Sequence, residues 1–515
     1  MDAIRNLGEV DVVKNPGDAD VVKNPGDADV VYQQTFDYDQ EERRQRIARR
    51  RISDVLTIVC AGFALISDGY QNNVMTMLNT VFAKIYPADY NTDMKTNLSN
   101  ASLVGTIFGQ VIIGVLSDRL NRKQSIVIAT CFLVFGTILC AAAHGKSVNG
   151  MFWMLIIFRG VTGFGIGAEY PSCSVSANEA ANETVRRRGG VFCLVTNLPL
   201  SFGGPFALII FLIIYQITGT SNGLWRALFA IGAFWPLSVF YFRYRMATSE
   251  LFKKSAIRNN VPYLLAIKYY WKRLLGTCGC WFLYDFVVFP NSVFAGTIIS
   301  SVLKGPDKKN LEKIAEWNLL LGVIAIPGVL VGAYLCDRIG RRNTLALGFS
   351  GYIVFGLIIG CSFDKIKNIT ALFIIFYGLM MSAGNLGPGD MMGLVSSESF
   401  ATPIRGTCYG ISAAIGKVGA VVGTKAFTPI QVHLGKQWTF IIAAICGLLG
   451  VLIAILFIPQ LKDEDLMVED IRFKNYLLAN GWTGTFGCED GTQELATSDD
   501  ENVTKESFIQ SNPKK

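Results

Sequence analysis

The chain has 515 residues, of which 51% are hydrophobic and only 17% are charged. Soluble domains average roughly 25% charged residues, so this composition excludes an ordinary soluble protein and favours a polytopic membrane protein. The formal net charge is +7, but the basic residues cluster in a few loops, which argues against a nucleic-acid-binding protein. Neither the two histidines nor the twelve cysteines show metal-binding spacing, so no metal and no other cofactor is expected.

The polar N-terminal segment, residues 1–52, is predicted to be a disordered cytosolic tail. It contains a nine-residue duplication, at 12–20 and again at 21–29, with Pro-Gly turns and no apolar periodicity. We expect no cleavable signal peptide, so the first apolar stretch should act as its own insertion signal.

Apolar stretches of about 20 residues follow, each long enough to cross about 30 Å of hydrocarbon. Twelve are predicted to span the membrane: 53–80, 98–117, 124–143, 150–177, 190–215, 222–243, 273–302, 316–336, 343–362, 370–396, 406–429 and 437–459. The predicted fold is therefore an all-α membrane protein with two six-helix bundles, 53–243 and 273–459. A central loop (244–272) joins them, and a charged tail (460–515) follows.

Lysine and arginine are concentrated in the loops on one side of these spans. The set includes 186–188, the residues that flank the second and eighth spans, and a central-loop group that begins at Arg243. Because positively charged loops stay in the cytosol, both termini and the central loop are predicted to be cytosolic.

A short charged element occurs twice, at the same place in each half. Residues 114–123 contain Asp118, Arg119 and Arg122 after the second span, and residues 332–342 repeat the element after the eighth. The repetition indicates two related bundles that rock about a site at the midplane between them. The repeated element resembles the signature of the major facilitator superfamily, which implies a conformational latch on the cytosolic side. The latch residues would be Asp118, Arg119, Arg122, Asp337, Arg338 and Arg341.

The fourth span carries two charged residues, Arg159 and Glu169. A charge in the hydrocarbon core costs about 2.5–3.5 kcal/mol on insertion scales, so this pair indicates a substrate or proton pathway. Arginine is also the side chain that best grips a phosphate or carboxylate. Other spans add Lys417, Asp68 and Asp285.

Four segments around these charges resemble the phosphate:proton symporters: 163–171, 281–285, 386–390 and 411–420. Longer runs, such as 64–70, 196–205 and 270–277, resemble the fungal glycerophosphodiester (glycerophosphoinositol) permeases, and the resemblance covers roughly 50–485. It implies a plasma-membrane symporter that imports glycerophosphodiesters, glycerophosphoinositol first among them, together with protons. We expect such a protein to act as a monomer in the lipid bilayer.

The resemblance and the charges together predict the site. Arg159 and Lys417, from opposite halves, would clamp one phosphodiester anion, or else be neutralised by internal carboxylates. The other predicted substrate-binding residues are Asn197, Trp281, Tyr284, Phe289 and Asp390. For the aromatic residues the alternative is packing, and for Asn197 and Asp390 it is the closing or capping of a helix break. Glu169, Asp285 and Asp68 would carry protons, with a structural bond as the alternative for Asp68.

Two departures from the phosphate symporters favour a larger substrate. Phe289 stands where those proteins have tyrosine, and Gly389 stands where they have asparagine. Both changes remove a polar group, and the second also removes volume. Glycerophosphocholine and inorganic phosphate stay open as substrates, and so does a nutrient receptor that binds without transport. No nucleophile with a nearby base is evident, so an enzyme is not expected.

Overall fold

The long apolar stretches fold into helices. The computed structural model describes residues 65–119, 122–184, 188–245, 252, 255–257, 261–461 and 466–484, all within the unit Asp54–Lys515. The duplication at 12–29, the first part of the first predicted span and the end of the C-terminal tail lie outside the described residues.

Besides the short segments Gly305–Lys309, Phe363–Ile366 and Thr402–Ile404, thirteen longer helices are described over these ranges, several of them interrupted. They are α1 (65–85), α2 (Thr92–Arg119), α3 (Arg122–Ala141), α4 (Val148–Glu169 and Val175–Thr184), α5 (Arg188–Thr218), α6 (Asn222–Gly232 and Phe234–Arg245), α7 (Tyr263–Val293 and Ala295–Val302), α8 (Leu311–Arg338), α9 (Arg341–Cys361), α10 (Thr370–Gly384 and Asp390–Glu398), α11 (Arg405–His433), α12 (Gln437–Phe457) and α13 (Leu466–Ala479).

The helices α1 to α12 occupy the twelve predicted spans. Nine of them are long and apolar enough to cross a membrane, and the two parts of α7, bent by 56°, make a tenth. The remaining two, α1 and α11, are rich in polar and small residues because they face the centre of the molecule. The predicted all-α, twelve-helix architecture is thereby confirmed.

Two of the spans are interrupted by a π-helical turn that contains a proline. In α4 a π-helical turn, Tyr170–Ser174, holds Pro171, and in α10 a second one, Asn385–Gly389, holds Pro388. Proline removes one backbone donor and clashes with the carbonyl four residues earlier, so the regular helical ladder is interrupted there. The two turns fall in the fourth span of each half, and such turns are frequent at functional sites.

Small residues let the helices approach closely, both within a half and between halves. In the N-terminal half α2 packs on α4, where Gly105 and Gly163 leave no room for a Cβ atom against the facing backbone. Between the halves α2 packs on α11 and α5 on α8, and a Cβ on Gly410 would collide with α2. Close backbone approach through glycine is the usual way for membrane helices to pack.

Two helical segments lie where the sequence analysis placed a loop and a tail. The first part of α7 begins at Tyr263, inside the predicted central loop, and α13 lies inside the predicted charged tail. The two segments pack together, because Ala266 and Tyr270 share a buried apolar cluster with Phe473 and Leu477. Residues 263–272 of α7 and the helix α13 are not apolar enough to stand out as spans, so hydropathy alone misses them.

Candidate functional site

A cavity of about 210 Å³ lies between the two six-helix halves. Residues of α1, α4 and α5 line it on one side, and residues of α7, α8, α10 and α11 line it on the other. Six of the residues predicted from the sequence are among its lining: Asn197, Trp281, Tyr284, Asp285, Phe289 and Lys417. A cavity between two pseudo-symmetric halves is the arrangement that transporters use to bind a substrate.

The lysine of the cavity is held by an aspartate. Lys417 Nζ donates to Asp285 Oδ2 at 2.8 Å, and the two side chains are only 4% and 1% exposed. The ammonium group also lies 4.3 Å from the centre of the Phe289 ring and 5.4 Å from that of Tyr170. Asp285 Oδ1 has no hydrogen-bond partner among the described residues. Lys417 is thus neutralised by a carboxylate in this conformation, and aromatic faces stand beside it.

A second polar contact of the site joins the two halves. Asn197 Nδ2, on α5, donates to Asp390 Oδ1, at the first residue after the π-helical turn of α10. The other oxygen, Asp390 Oδ2, is buried without a partner in the described part of the chain. Asp390 itself is not among the residues that line the cavity, so it reaches the site through Asn197.

Gly389 leaves space where a larger residue would narrow the cavity. A Cβ atom built on it would lie 3.0 Å from the Tyr284 hydroxyl and 3.4 Å from Asn197 Nδ2. Glycine at this position therefore leaves the cavity larger than asparagine would, as the sequence comparison with phosphate symporters suggests.

Arg159 lies elsewhere. Its Nε donates to the Leu98 carbonyl at 3.1 Å, and its Cζ is 5.9 Å from the Phe229 ring. It is 3% exposed, and no carboxylate of the described residues forms an ion pair with it. Because Arg159 faces α2 inside the N-terminal half, it does not line the cavity that holds Lys417. The predicted clamp of both cations on one anion is not formed in this conformation.

A buried ion pair that the sequence analysis missed lies inside the N-terminal half. Arg243 donates to Glu169 Oε1 at 2.5 Å and to Thr130 Oγ1 at 2.6 Å, and both side chains of the pair are fully buried. The assignment of Arg243 to the basic loop was wrong, since the last part of α6 carries it into the bundle. The uninterrupted apolar run before it in α6 was the available signal.

Asp68 is buried in α1 and neither of its carboxyl oxygens has a hydrogen-bond partner among the described residues. Glu169 Oε2 is also without one. Neither residue lines the cavity. Asp68 and Glu169 are therefore interior acids of the N-terminal half that lie outside the lining of the cavity.

The repeated charged elements meet the opposite half, on the face of the molecule where α2 and α8 end, which we call the basic face. Asp118 accepts hydrogen bonds from the backbone nitrogens of Gly406, at 2.9 Å, and Thr407, at 2.6 Å. These are free N–H groups of the first turn of α11, so the carboxylate acts as an N-terminal cap supplied by the other half.

Buried ion pairs surround this cap. Arg122 pairs with Asp118 at 2.8 Å and with Glu179 at 3.1 Å, and Arg405 of α11 pairs with Glu179 at 3.1 Å. From α13, Asp470 accepts the Thr402 backbone N–H at 2.7 Å, just before α11 begins. Burial raises the pKa of Asp470, against the opposing effect of the Arg405 charge.

The second copy of the charged element, at residues 332–342, makes the equivalent contacts with the N-terminal half. Asp337 accepts the Gly190 N–H of α5 at 3.0 Å, and Arg341 pairs with Asp337 at 3.4 Å and with Glu398 at 3.1 Å. Arg188, at the start of α5, pairs with Glu398 at 2.8 Å. Each half thus caps the first turn of a helix of the other half, and one glutamate at the end of a fourth span ties two arginines together.

The two remaining latch residues do not take part in these contacts. Arg119 and Arg338 are exposed, and they lie against the rings of Tyr263 and Tyr334 at 5.9 Å and 5.2 Å. The glutamates of the networks, Glu179 and Glu398, were not predicted. Their equivalent position at the end of the fourth span of each half was a signal that an alignment of the two halves would have revealed.

Comparison with known proteins agrees with this geometry. The family model described as sugar (and other) transporter matches residues 55–472. The chain therefore belongs to this family of membrane transporters, and it is not an enzyme. The fold has a solved counterpart in the proton:xylose symporter XylE of E. coli, bound to 6-bromo-6-deoxy-D-glucose. The TM-score is 0.70 at 16% identity over 83% of this chain and 99% of that chain, which shows the major facilitator fold.

Two fungal transporters are much more similar to this chain in sequence. The chain is 68% identical over 461 residues to glycerophosphoinositol permease 1 of Candida albicans, with 89% of each chain covered. It is 57% identical over 465 residues to glycerophosphoinositol transporter 1 of Saccharomyces cerevisiae, again with 89% of each chain covered. The resemblance to fungal glycerophosphodiester permeases that the motifs indicate is confirmed by these two matches.

Proposed function

We propose that this protein is a proton-coupled symporter that imports glycerophosphodiesters, glycerophosphoinositol in particular, across the plasma membrane. The observation that carries the proposal is the buried Lys417–Asp285 pair on the wall of the cavity between the halves. A phosphodiester is a monovalent anion, and a buried lysine is a strong partner for it. The high identity to two glycerophosphoinositol transporters supports the choice of substrate.

The pair itself supplies a mechanism of coupling. While Asp285 is ionised it occupies Lys417, so a substrate anion has to displace a carboxylate at 2.8 Å. A proton on Asp285 removes that competition, and the ammonium group is then free for the phosphate. Proton and anion therefore favour each other, and linkage makes the effect reciprocal.

The interior acids support a route for the proton. Both carboxyl oxygens of Asp68 lack a hydrogen-bond partner among the described residues, whereas Glu169 lacks one only at Oε2 because its Oε1 binds Arg243. A buried carboxyl group without partners is far less costly to bury in its protonated form. Glu169 and Asp68 would take up the proton in the N-terminal half, and Asp285 would then accept it in the cavity and release Lys417.

The remaining predicted residues have graded roles in this cycle. Trp281, Tyr284 and Phe289 would form the cavity wall around the bound phosphodiester. The hydrogen bond between Asn197 and Asp390 would link substrate binding to the contact between the two halves. Arg159, a buried cation without a carboxylate partner among the described residues, would join an anion in another conformation.

The latches define which side is closed. With Asp118 and Asp337 both capping helices of the opposite half, the basic face is held shut. The positive loops would place this face, both termini and α13 in the cytosol. Rocking of the halves would break both caps, open the cavity to the cytosol and release the substrate, and a monomer would suffice for the whole cycle.

Uptake in cells tests the proposal directly. Cells that lack endogenous transporters would be given radiolabelled glycerophosphoinositol, glycerophosphocholine or phosphate, with and without a protonophore. We expect glycerophosphoinositol to accumulate, and we expect the protonophore to reduce that accumulation about tenfold or more.

The same assay separates the other candidates. Faster accumulation of glycerophosphocholine or phosphate would reassign the substrate, and unchanged accumulation with the protonophore would exclude proton coupling. A nutrient receptor would bind glycerophosphoinositol without accumulating it. The intact caps at Asp118 and Asp337 favour a protein that changes conformation over such a receptor.

A further inference from the structure

Two cysteines from opposite halves meet beside the latch of the basic face. Cys193 lies on α5 and Cys336 on α8, and both side chains are fully buried. The two thiol groups are within hydrogen-bonding reach of each other. Cys336 Sγ also lies 3.6 Å from Asp337 Oδ1, and the other oxygen of this latch residue accepts the Gly190 N–H. The proposed cycle gives neither thiol a role.

The backbones of the two helices approach closely at this point. A Cβ atom built on Gly190 would lie 2.8 Å from the Ala333 carbonyl oxygen, so no side chain separates α5 from α8 there. Cys193 follows Gly190 by three residues and Cys336 follows Ala333 by three, so each thiol lies within one helical turn of this contact. A disulfide needs its Cα atoms about 4.4–6.8 Å apart, a range that helices packed through glycine can reach.

Exposure of the thiols and contact between them belong to different conformations. In the described conformation the caps at Asp118 and Asp337 hold the basic face shut, and both thiols are shielded from an oxidant. Rocking of the halves would part α5 from α8 and open both thiols to the cytosol. Attack by an oxidant therefore needs the open conformation, and cross-linking needs the closed one.

Hydrogen peroxide supplies the chemistry that fits this alternation. In the open conformation the peroxide O–O bond breaks at one thiol, which becomes a sulfenic acid while one water leaves. When the halves close, the second thiol attacks the sulfenic sulfur. An S–S bond then forms and the S–O bond breaks, and the hydroxyl leaves with the thiol proton as a second water. Two thiols are oxidised to one disulfide, and one peroxide is reduced to two waters.

We propose that Cys193 and Cys336 form a redox-sensitive lock, in which peroxide joins them in a disulfide that holds the basic face closed and stops transport. The proposal rests on the proposed function, because the halves must open during the cycle for the oxidant to enter. The bond would tie α5 to α8 beside the Asp337 cap, a contact that has to break for release to the cytosol. Disulfides are rare in the reducing cytosol, and those that form there are usually transient and redox-sensing.

Peroxide treatment of the reconstituted protein tests the lock. Proteoliposomes would be exposed to hydrogen peroxide, freed of it with catalase, and assayed for the initial rate of radiolabelled glycerophosphoinositol uptake. Mass spectrometry of peptides prepared without reductant would measure the Cys193–Cys336 disulfide in the same samples. When about nine-tenths of the wild-type protein is cross-linked, uptake should fall about tenfold, because only the reduced molecules can open.

Serine variants identify the thiols that are responsible. After the same treatment, Cys193→Ser and Cys336→Ser should each lose less than about twofold of their uptake, because one thiol alone cannot form the bond. The matched control is Cys131→Ser, which removes an exposed cysteine of α3 and should lose about tenfold like the wild type.

Every outcome supports or overturns the lock. Treated wild-type protein without the Cys193–Cys336 disulfide would overturn it, even where a serine variant is inactive from the start. Unchanged uptake by cross-linked protein would overturn it too, as would equal losses in the wild type and both serine variants. None of these results contradicts the proposed function, which fails separately if untreated wild-type proteoliposomes take up no glycerophosphoinositol.

Discussion

Two buried ion pairs of the membrane helices have the same chemistry and different surroundings. Lys417 and Asp285 lie 2.8 Å apart on the wall of the cavity, beside the rings of Phe289 and Tyr170. Arg243 and Glu169 lie 2.5 Å apart and fully buried in the N-terminal half, outside the lining of the cavity. The first pair lines the cavity in which we propose that the substrate binds, and the second pair does not line it.

This difference assigns different work to the two pairs. A buried pair that nothing can replace must hold its charges together for the fold to persist, since removal of one partner leaves an uncompensated charge. A pair on a cavity wall can exchange one partner for a ligand, and the aromatic rings beside Lys417 offer the ammonium group a second favourable position. We therefore expect the sealed pair, Arg243–Glu169, to contribute mainly to the stability of the fold. The cavity pair, Lys417–Asp285, should contribute mainly to transport.

The largest expected effect is on the stability of the protein, when the buried Arg243–Glu169 pair is broken. Arg243→Leu should lower the free energy of unfolding by about 3–5 kcal/mol, because Glu169 would be left buried without its cation. Thermal unfolding of the purified protein in detergent measures this, with the exposed Arg338→Leu as the control. Lys417→Gln should lower the melting temperature by much less than Arg243→Leu, and equal losses would contradict the comparison.

The cavity pair should show the opposite pattern. We expect Lys417→Gln to reduce the initial rate of glycerophosphoinositol uptake about 100-fold, because loss of a buried charge partner costs about 2–5 kcal/mol of binding. Lys425→Gln is the matched control, on an exposed position of the same helix. Uptake within threefold of wild type by Lys417→Gln, at equal surface abundance, would remove Lys417 from the substrate site.

Gly389 tests the volume of the cavity beside this pair. An asparagine there would enter the space next to Tyr284 and Asn197, where even a Cβ atom lies 3.0 Å from the tyrosine hydroxyl. Overpacking of this kind costs about 1–3 kcal/mol, so Gly389→Asn should weaken glycerophosphoinositol uptake about tenfold. Inhibition of the residual uptake by inorganic phosphate should be unchanged or stronger, and weaker inhibition by phosphate would argue against a steric cause.

The smallest expected effect concerns the caps at the basic face, which lie far from both pairs. Removal of an N-terminal cap costs about 1 kcal/mol, so Asp118→Ala should speed hydrogen exchange of the Gly406 and Thr407 amides about fivefold. Mass spectrometry of a peptide that covers 402–410 measures this. A peptide within α12 (440–450) is the internal control, because neither Asp118 nor Asp337 caps that helix. Unchanged exchange at 402–410 would show that the cap does not hold α11.

The fold could be predicted from the sequence because long apolar runs have few alternatives in a membrane. The twelve spans and the two related halves followed from run length and from the repeated element at Asp118 and Asp337. The 56° bend of α7 between Val293 and Ala295 did not, since apolar length carries no information on direction. The packing of α13 on the first part of α7 was also missed, because short amphipathic helices are held by tertiary contacts.

Most residues of the site could be predicted from the sequence, but the ion pairs that they form could not. Residue type and resemblance identified Asn197, Trp281, Tyr284, Asp285, Phe289 and Lys417, and all of them line one cavity. The pairing of Glu169 with Arg243 required two helices distant in sequence to meet, and no local pattern records that. For the same reason the sequence placed Arg159 with Lys417, although the described structure separates them. Its predicted role with the anion stays a prediction, as do the proton-carrying roles of Asp68 and Glu169.

The central claim is that Asp285 couples the proton to the anion by competing for Lys417. It is tested most directly by proton flux into proteoliposomes on addition of glycerophosphoinositol, measured with a pH-sensitive dye for the wild-type protein and for Asp285→Asn. Asparagine mimics the protonated acid, so it leaves Lys417 free at every pH. The account predicts substrate-driven proton entry in the wild type, and in Asp285→Asn substrate equilibration with proton entry reduced at least about tenfold. Equal proton entry per substrate in the two proteins would contradict it.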